Sequence, residues 1–335
     1  MLEYLASNYE GEFHSGLLEV GVSDGVYVDR TGKRVIGGAF YRGWDFSEGL
    51  AAAMPKNLEK WGYINTKGEF AISPRFDTSP SGYVWPFEGG LAKIEVLKRI
   101  GYIDHSGDFV IPPRFLDGDS FHDGMARVIV DGPCTYFRIS EESLCPDFGV
   151  VGVVTKDAIS SKWPSCKYTF TNEDGTLISD ERYDYARPFS EGMAPVQIDE
   201  KWGYIDKKGS LVIAPTFKSA APFSDGLALV SENGVYGYID HTGKYVVTPH
   251  FKYAEDFAEG RAVVSDQESG FWYIDHNGRQ VIEGKFSLAS PFFKGLAHVK
   301  LRSQRDKDES IYEGTFAYID RNGRRVFCYR RNPVQ

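Results

Sequence analysis

The sequence predicts an all-β fold, an array of about eight three-stranded β repeats, with a closed propeller-like ring favoured over an open β-solenoid. Three observations predict it. An aromatic recurs at Tyr27, Tyr63, Tyr102, Phe170, Tyr204, Tyr238, Tyr273 and Tyr318, with four of the seven intervals between 34 and 36 residues. A Phe-x-x-Gly box precedes each, at Phe13, Phe46, Phe87, Phe121, Phe189, Phe223, Phe257 and Phe292. A turn of the form Asp/Asn-x-x-Gly follows each, as in Asp206-Lys-Lys-Gly209.

Within a unit, Leu227-Ala-Leu-Val230, Trp202-Gly-Tyr-Ile205 and Leu211-Val-Ile213 are short, β-branched or aromatic, and bounded by Gly or Pro, which is a strand signature. Three such strands make a unit. The turn between the second and third is a hairpin in which Asp accepts hydrogen bonds from its own backbone and Gly supplies a positive φ. Asn65 and Asn172 replace Asp, so the turn needs an acceptor and not a charge, whereas Gly is present in all eight copies. The segment Pro215 to Gly226 reads as a connector. Its recurring phenylalanines (Phe40, Phe76, Phe115, Phe217, Phe251, Phe286) are expected to plug the grooves between neighbouring sheets.

Eight units permit closure into a ring, and the small residues of Gly226-Leu-Ala228 suit strands crowded about an axis. Against closure, a propeller blade has four strands in about 40–45 residues, and this unit is shorter.

Lys60-Trp-Gly-Tyr-Ile-Asn65 and Lys201-Trp-Gly-Tyr-Ile-Asp206 resemble the WG-repeat family over about residues 13–327, except near 130–167. The resemblance implies a mainly bacterial, all-β repeat array with no shared catalytic activity. Trp-Gly itself occurs only twice; Ile100-Gly101 and Tyr236-Gly237 keep the Gly, and Phe271-Trp272 and Phe316-Ala317 lose it. The Trp is therefore expected to pack and not to act. The domain reading is an N-terminal segment 1–12, one repeat domain 13–327 with a degenerate insert at about 130–167, and a tail 328–335.

Net charge is −9 with a pI near 5.4, and no long cationic run appears, which argues against nucleic acid and anionic membranes and towards a basic protein partner. No signal-peptide pattern and no long apolar run are present, so a soluble, cytoplasmic protein is expected. Cys134, Cys145, Cys166 and Cys328 form no Cys-x-x-Cys pair, so reduced thiols and no structural metal are expected, with a Cys134–Cys145 bridge left open.

Two sets of polar residues share repeat positions. The acids Glu48, Asp123, Glu191, Asp225 and Glu259 follow the Phe of each box, but Ser15, Gly89 and Lys294 interrupt them, so they read as turn residues and not as catalytic pairs. His105, His241 and His276 follow the turn Asp, a whole repeat apart, which is wrong for one metal centre. No nucleophile-elbow, P-loop or zinc-protease motif appears, and neither an enzyme nor a cofactor is expected.

Departures from the repeat are the better places for function. These are Asp77–Pro86 with Tyr83 and Trp85, Val130–Lys167 with Tyr136, Phe137 and Trp163, and the charged stretch Arg302–Glu313. Their aromatics are the expected binding anchors, because Trp and Tyr dominate interface hot spots. The functional expectation is a non-enzymatic protein-binding scaffold, and in its sharper form an immunity or inhibitor protein capping a basic partner. Carbohydrate or small-ligand binding is the alternative, and an uncharacterised enzyme the third.

Overall fold

A computed structural model of the chain describes residues 14–20, 25–37, 40–77, 84–130, 167–302 and 314–331. The described residues are strands and turns, in two compact units, Met1–Asp184 and Tyr185–Gln335. In the first unit, four-stranded antiparallel sheets run over Phe40–Phe76 and Phe87–Phe115, flanked by three-stranded sheets over Leu17–Ile36 and Asp117–Asn172. In the second, four-stranded sheets over Tyr185–Phe217 and Ser219–Phe251 are followed by a seven-stranded sheet over Tyr253–Arg331. That sheet is two repeats joined by the single pair Phe271↔Phe286. The last strand runs from Arg325 to Arg331, so residues 328–331 are not a tail.

The expectation of three strands per repeat is corrected to four in the most regular copies. The connector contributes the extra one: Ser219–Ser224 pairs with Leu227–Glu232 through Ala220↔Val230 and Phe223↔Ala228. Pro222 and a register shift at that point hide it, since Pro donates no ladder bond and the bulge interrupts alternation. In other copies this strand shortens to four residues, as in Phe40–Gly43, or to two, as in Tyr185–Ala186.

Two hairpin turns frame every repeat. The Asp-x-x-Gly turn forms as expected: Asp240 Oδ1 accepts the backbone N–H groups of Thr242 at 2.9 Å and Lys244 at 3.1 Å, and Gly243 sits at φ 82°. The Phe-x-x-Gly box is itself a tight hairpin, with both central residues left-handed, for example Asp225 at φ 53° and Gly226 at φ 83°.

The Gly of Trp-Gly has a backbone reason. A Cβ on Gly62, Gly101, Gly203 or Gly237 would lie 2.4–2.6 Å from a carbonyl oxygen of the fourth strand. That strand bulges across the glycine and is seven residues long in all four copies. Thr169 and Trp272 stand at the same position in two other copies, and there the strand is reduced to isolated bridges or a single pair. Each of the four long strands also carries a proline near its end (Pro74, Pro113, Pro215, Pro249), which blunts an open sheet edge.

Successive sheets are held by a buried tyrosine hydroxyl. Tyr27, Tyr102, Tyr204, Tyr238 and Tyr273 each donate to the carbonyl of the residue 17 positions on, and Tyr63 to that of Trp85, 22 positions on, at 2.7–2.8 Å. Around each hydroxyl lies an apolar core shared by two repeats: Leu227, Tyr238, Val247 and Phe251 pack on Ala254, Phe257, Ala262, Val264 and Ile274. The expected groove-plugging phenylalanines are buried there. Tyr238→Phe keeps the ring and orphans the Glu255 carbonyl, so it is expected to cost about 1 kcal/mol in urea unfolding, with little change in the sheet's circular dichroism.

Candidate functional site

The repeat-position acids are joints between sheets. Glu191 accepts the Gly226 backbone N–H at 3.1 Å, Asp225 that of Gly260 at 2.6 Å, and Glu259 that of Gly295 at 2.9 Å; in the first unit Glu48 accepts that of Gly90 at 3.1 Å. Each acid sits left-handed in its own turn and ties down the next. The neighbouring hydroxyls act alike: Ser190 donates to the Phe223 carbonyl at 2.7 Å and Ser224 to that of Phe257 at 2.6 Å.

The histidines seal these joints. His105 stacks on Phe87 at 4.3 Å and lies 3.4 Å from Glu48; His241 stacks on Phe223 at 4.0 Å and lies 3.4 Å from Glu191. His276 stacks on Phe257 at 4.6 Å. Among the described residues no three His, Cys, Asp or Glu side chains converge as metal ligands.

Of the expected anchors, only Trp85 is described; Tyr83, Tyr136, Phe137 and Trp163 lie outside the described residues. Trp85 is half-buried and covers a cation, with Lys93 Nζ 4.0 Å from its ring centre. Lys93 is itself buried and donates to the Gly118 carbonyl at 2.8 Å. Burial lowers its pKa, against the opposing pull of Asp117, Asp119 and Glu95. Beside it Arg127 Nε donates to Asp119 Oδ2 at 2.7 Å.

Trp85 and Lys93 belong to a row of positions that the repeat does not conserve between its copies. In several repeats the residue two before the box Phe, just after the first strand, donates its backbone N–H to a carbonyl of the second: Trp44 to Ala52 at 3.1 Å, and Asp119 to Arg127, Arg187 to Pro195, Glu255 to Val263 and Ser290 to His298 at 2.9 Å. The neighbours of these positions repeat, but the positions themselves change in charge and size.

In the second unit this row forms a concavity of about 530 Å³ lined by Arg187, Ser224, Leu229, Glu255, Asp256 and Pro291. Glu255 and Asp256 are both held above the usual carboxylate range, chiefly by burial. Asp256 reaches solvent yet is walled by protein, as a carboxylate lining a hollow is. Glu255 Oε1 is bonded by the Tyr253 hydroxyl, and its Oε2 has no partner. Arg187 favours the Asp256 charge, but its guanidinium also lies over Trp202 at 5.3 Å. In the first unit Glu19 shows the same tension, raised to about 7 by burial and then by Asp45, which precedes its box Phe as Asp256 does. Carboxylates under this strain favour an incoming cation, which would lower their pKa.

Sequence reasoning missed Arg187, Glu255, Asp256 and Lys93. Their signal is the change of residue between equivalent positions in and beside the segment that the sequence alone reads as a connector.

A crystal structure of the eukaryotic initiation factor aligns over 96% of this chain and 87% of its own at a TM-score of 0.60 and 10% identity, a likeness of fold alone. AztD from Citrobacter koseri aligns over 95% and 92% at TM-score 0.42 and 10% identity, and BamB from Moraxella catarrhalis over 87% and 93% at 0.42 and 8%. No curated protein matches the chain. The model of the WG containing repeat matches residues 61–97, 100–132, 168–202, 202–236, 236–267 and 273–303, more than half of the chain, and the chain accordingly belongs to the WG-repeat family.

Proposed function

We propose that this chain is a non-enzymatic, cytoplasmic protein-binding scaffold that takes a basic partner on the non-repeating row of its first strands. The observation that carries this reading is the pair Glu255 and Asp256, two adjacent carboxylates raised by burial in one hollow with a single arginine on its wall. A lysine or arginine brought there gains a charge-assisted hydrogen bond and relieves the repulsion between them. An immunity or inhibitor role, capping a cationic toxin or enzyme, is the sharper form and rests on the net charge of −9.

The test is calorimetric titration with a lysine- and arginine-rich polypeptide at two salt concentrations. Glu255→Gln with Asp256→Asn is expected to weaken binding at least tenfold and to flatten its salt dependence, while the melting temperature does not fall. Equal affinity for wild type and variant would reject the site.

A second reading is favoured by one observation. The groove of about 590 Å³ lined by Phe76, Phe109, Glu95, Leu97 and Lys98 presents Leu97 93% exposed at φ 51°, where Asn or Gly belongs. A sugar face stacked on Phe109 would use that groove, and glycan-array binding that survives Asp256→Asn would favour it.

The four-stranded sheets support a closed ring by removing the main objection to it.

A further inference from the structure

A side-chain amide can be attacked by the backbone nitrogen of the next residue, and a following glycine obstructs that approach least because it has no Cβ. The chain contains three Asn-Gly pairs, Asn233-Gly234, Asn277-Gly278 and Asn322-Gly323. All three lie in the second unit with the asparagine exposed, and the fold places them in two different kinds of turn.

Asn277 and Asn322 occupy the third position of Asp-x-x-Gly turns, where the glycine nitrogen is already engaged. Gly278 donates its N–H to the Asp275 carbonyl at 2.9 Å, and Gly323 to that of Asp320 at 2.8 Å. The asparagine backbone is held as well, with the Asn277 and Asn322 N–H groups on Asp275 Oδ1 and Asp320 Oδ1, both at 2.9 Å. These turns are also seated on the preceding repeat: a Cβ on Gly278 would lie 3.1 Å from Val247, and one on Gly323 2.6 Å from Ile282. Attack at either place requires a turn hydrogen bond to break and the turn to lift from its neighbour.

Asn233-Gly234 is the tip of the hairpin between Leu227–Glu232 and Val235–Ile239, closed by the pair Glu232↔Val235. Both residues are left-handed, at φ 48° and 77°, the turn for which Asn-Gly is the preferred pair. The Gly234 N–H and the Asn233 side-chain amide have no hydrogen-bond partner among the described residues, and a Cβ on Gly234 would meet nothing within 4 Å. Two other repeats build the same turn without asparagine, Leu97-Lys98 at φ 51° and 62° and Asp199-Glu200 at φ 50° and 63°. The fold therefore does not require Asn-Gly there, and Asp199 shows that the first position accepts an acid.

We propose that Asn233 is a modification site, at which the folded chain deamidates in preference to Asn277 and Asn322. The Gly234 nitrogen forms a bond to Asn233 Cγ, the amide C–N bond of the side chain breaks, and ammonia leaves with the proton that the Gly234 nitrogen gives up. Water then opens the cyclic imide. Opening at Cγ gives aspartate on the original backbone; opening at the main-chain carbonyl gives isoaspartate, with the chain routed through Cβ and Cγ. Aspartate suits the turn as Asp199 suits its own. Isoaspartate adds a methylene to the main chain between Glu232 and Val235 and takes that pair out of register. The site is independent of the basic-partner reading and shares none of its residues.

The experiment is a time course of the full chain at pH 8 and 37 °C, folded and in unfolding urea, followed by digestion at mildly acidic pH and mass spectrometry of the three asparagine peptides. In the folded chain the Asn233 peptide is expected to gain the mass of amide-to-acid conversion about tenfold faster than either of the others, and in urea all three are expected to convert within about threefold of one another, because only local structure protects the slower two. Equal rates in the folded chain, or faster conversion at Asn277 or Asn322, overturns the proposal. A gap that persists undiminished in urea overturns it too, since the difference would then lie in the flanking residues and not in the turns.

Discussion

Gly203→Ala is expected to destabilise the second unit by about 3 kcal/mol in urea unfolding, the high end for overpacking a buried position. The added methyl would lie 2.4 Å from the Ile213 carbonyl oxygen and 2.8 Å from the Pro215 nitrogen. Both are backbone atoms, so no side-chain rotation makes room. Relief requires the strand Leu211–Phe217 to lift from its neighbour, which breaks the pairs Trp202↔Phe217 and Tyr204↔Ile213. Phe217 and Ile213 would leave the core they share with Ala220, Phe223 and Val230. In the copies with Thr169 and Trp272 that strand is reduced, and in the copy with Ala317 it keeps seven residues but pairs straight across, Ala317↔Cys328, without the bulge at that position. A loss below about 0.5 kcal/mol, the usual range of a surface change, would mean that the bulge is not what the glycine serves.

Glu19→Gln is expected to stabilise the protein by about 1–2 kcal/mol at pH 8, after discounting for partial exposure, and to change little at pH 4. Burial, and then Asp45, raises the Glu19 carboxyl from 4.5 to about 7 in the folded chain. Between those values the native state holds a proton that the unfolded chain has released, so stability falls as pH rises through that window and the penalty is complete above it. Gln carries no charge at either pH and removes the penalty. Urea midpoints of both proteins at pH 4, 6 and 8 check it, and a difference independent of pH would contradict it.

The parts of the fold that repeat were legible in the sequence because each rests on a local requirement. Gly209 needs a positive φ, Asp206 needs its side-chain acceptor, and Phe217 needs a groove to fill. What stayed hidden was non-local. The strand Ser219–Ser224 pairs despite Pro222, and Asp225 reads as a polar turn residue until its bond to Gly260, 35 residues on, is seen. The candidate site was hidden for a related reason. Long, aromatic-bearing departures from the repeat drew attention to Trp85, whose ring proves to cover Lys93. Single-residue departures such as Glu255 and Asp256 change one side chain on an otherwise constant backbone, and only the three-dimensional row gathers them into one hollow.

The central claim is that repeated residues build the scaffold and the non-repeating row binds a basic partner. Affinity capture from the native source with wild type and with the Glu255→Gln, Asp256→Asn double variant, side by side, tests it most directly. The account predicts a cationic protein retained by wild type at low salt, released as salt rises, and lost from the variant although the variant stays folded. Equal retention of the same protein by both would contradict it.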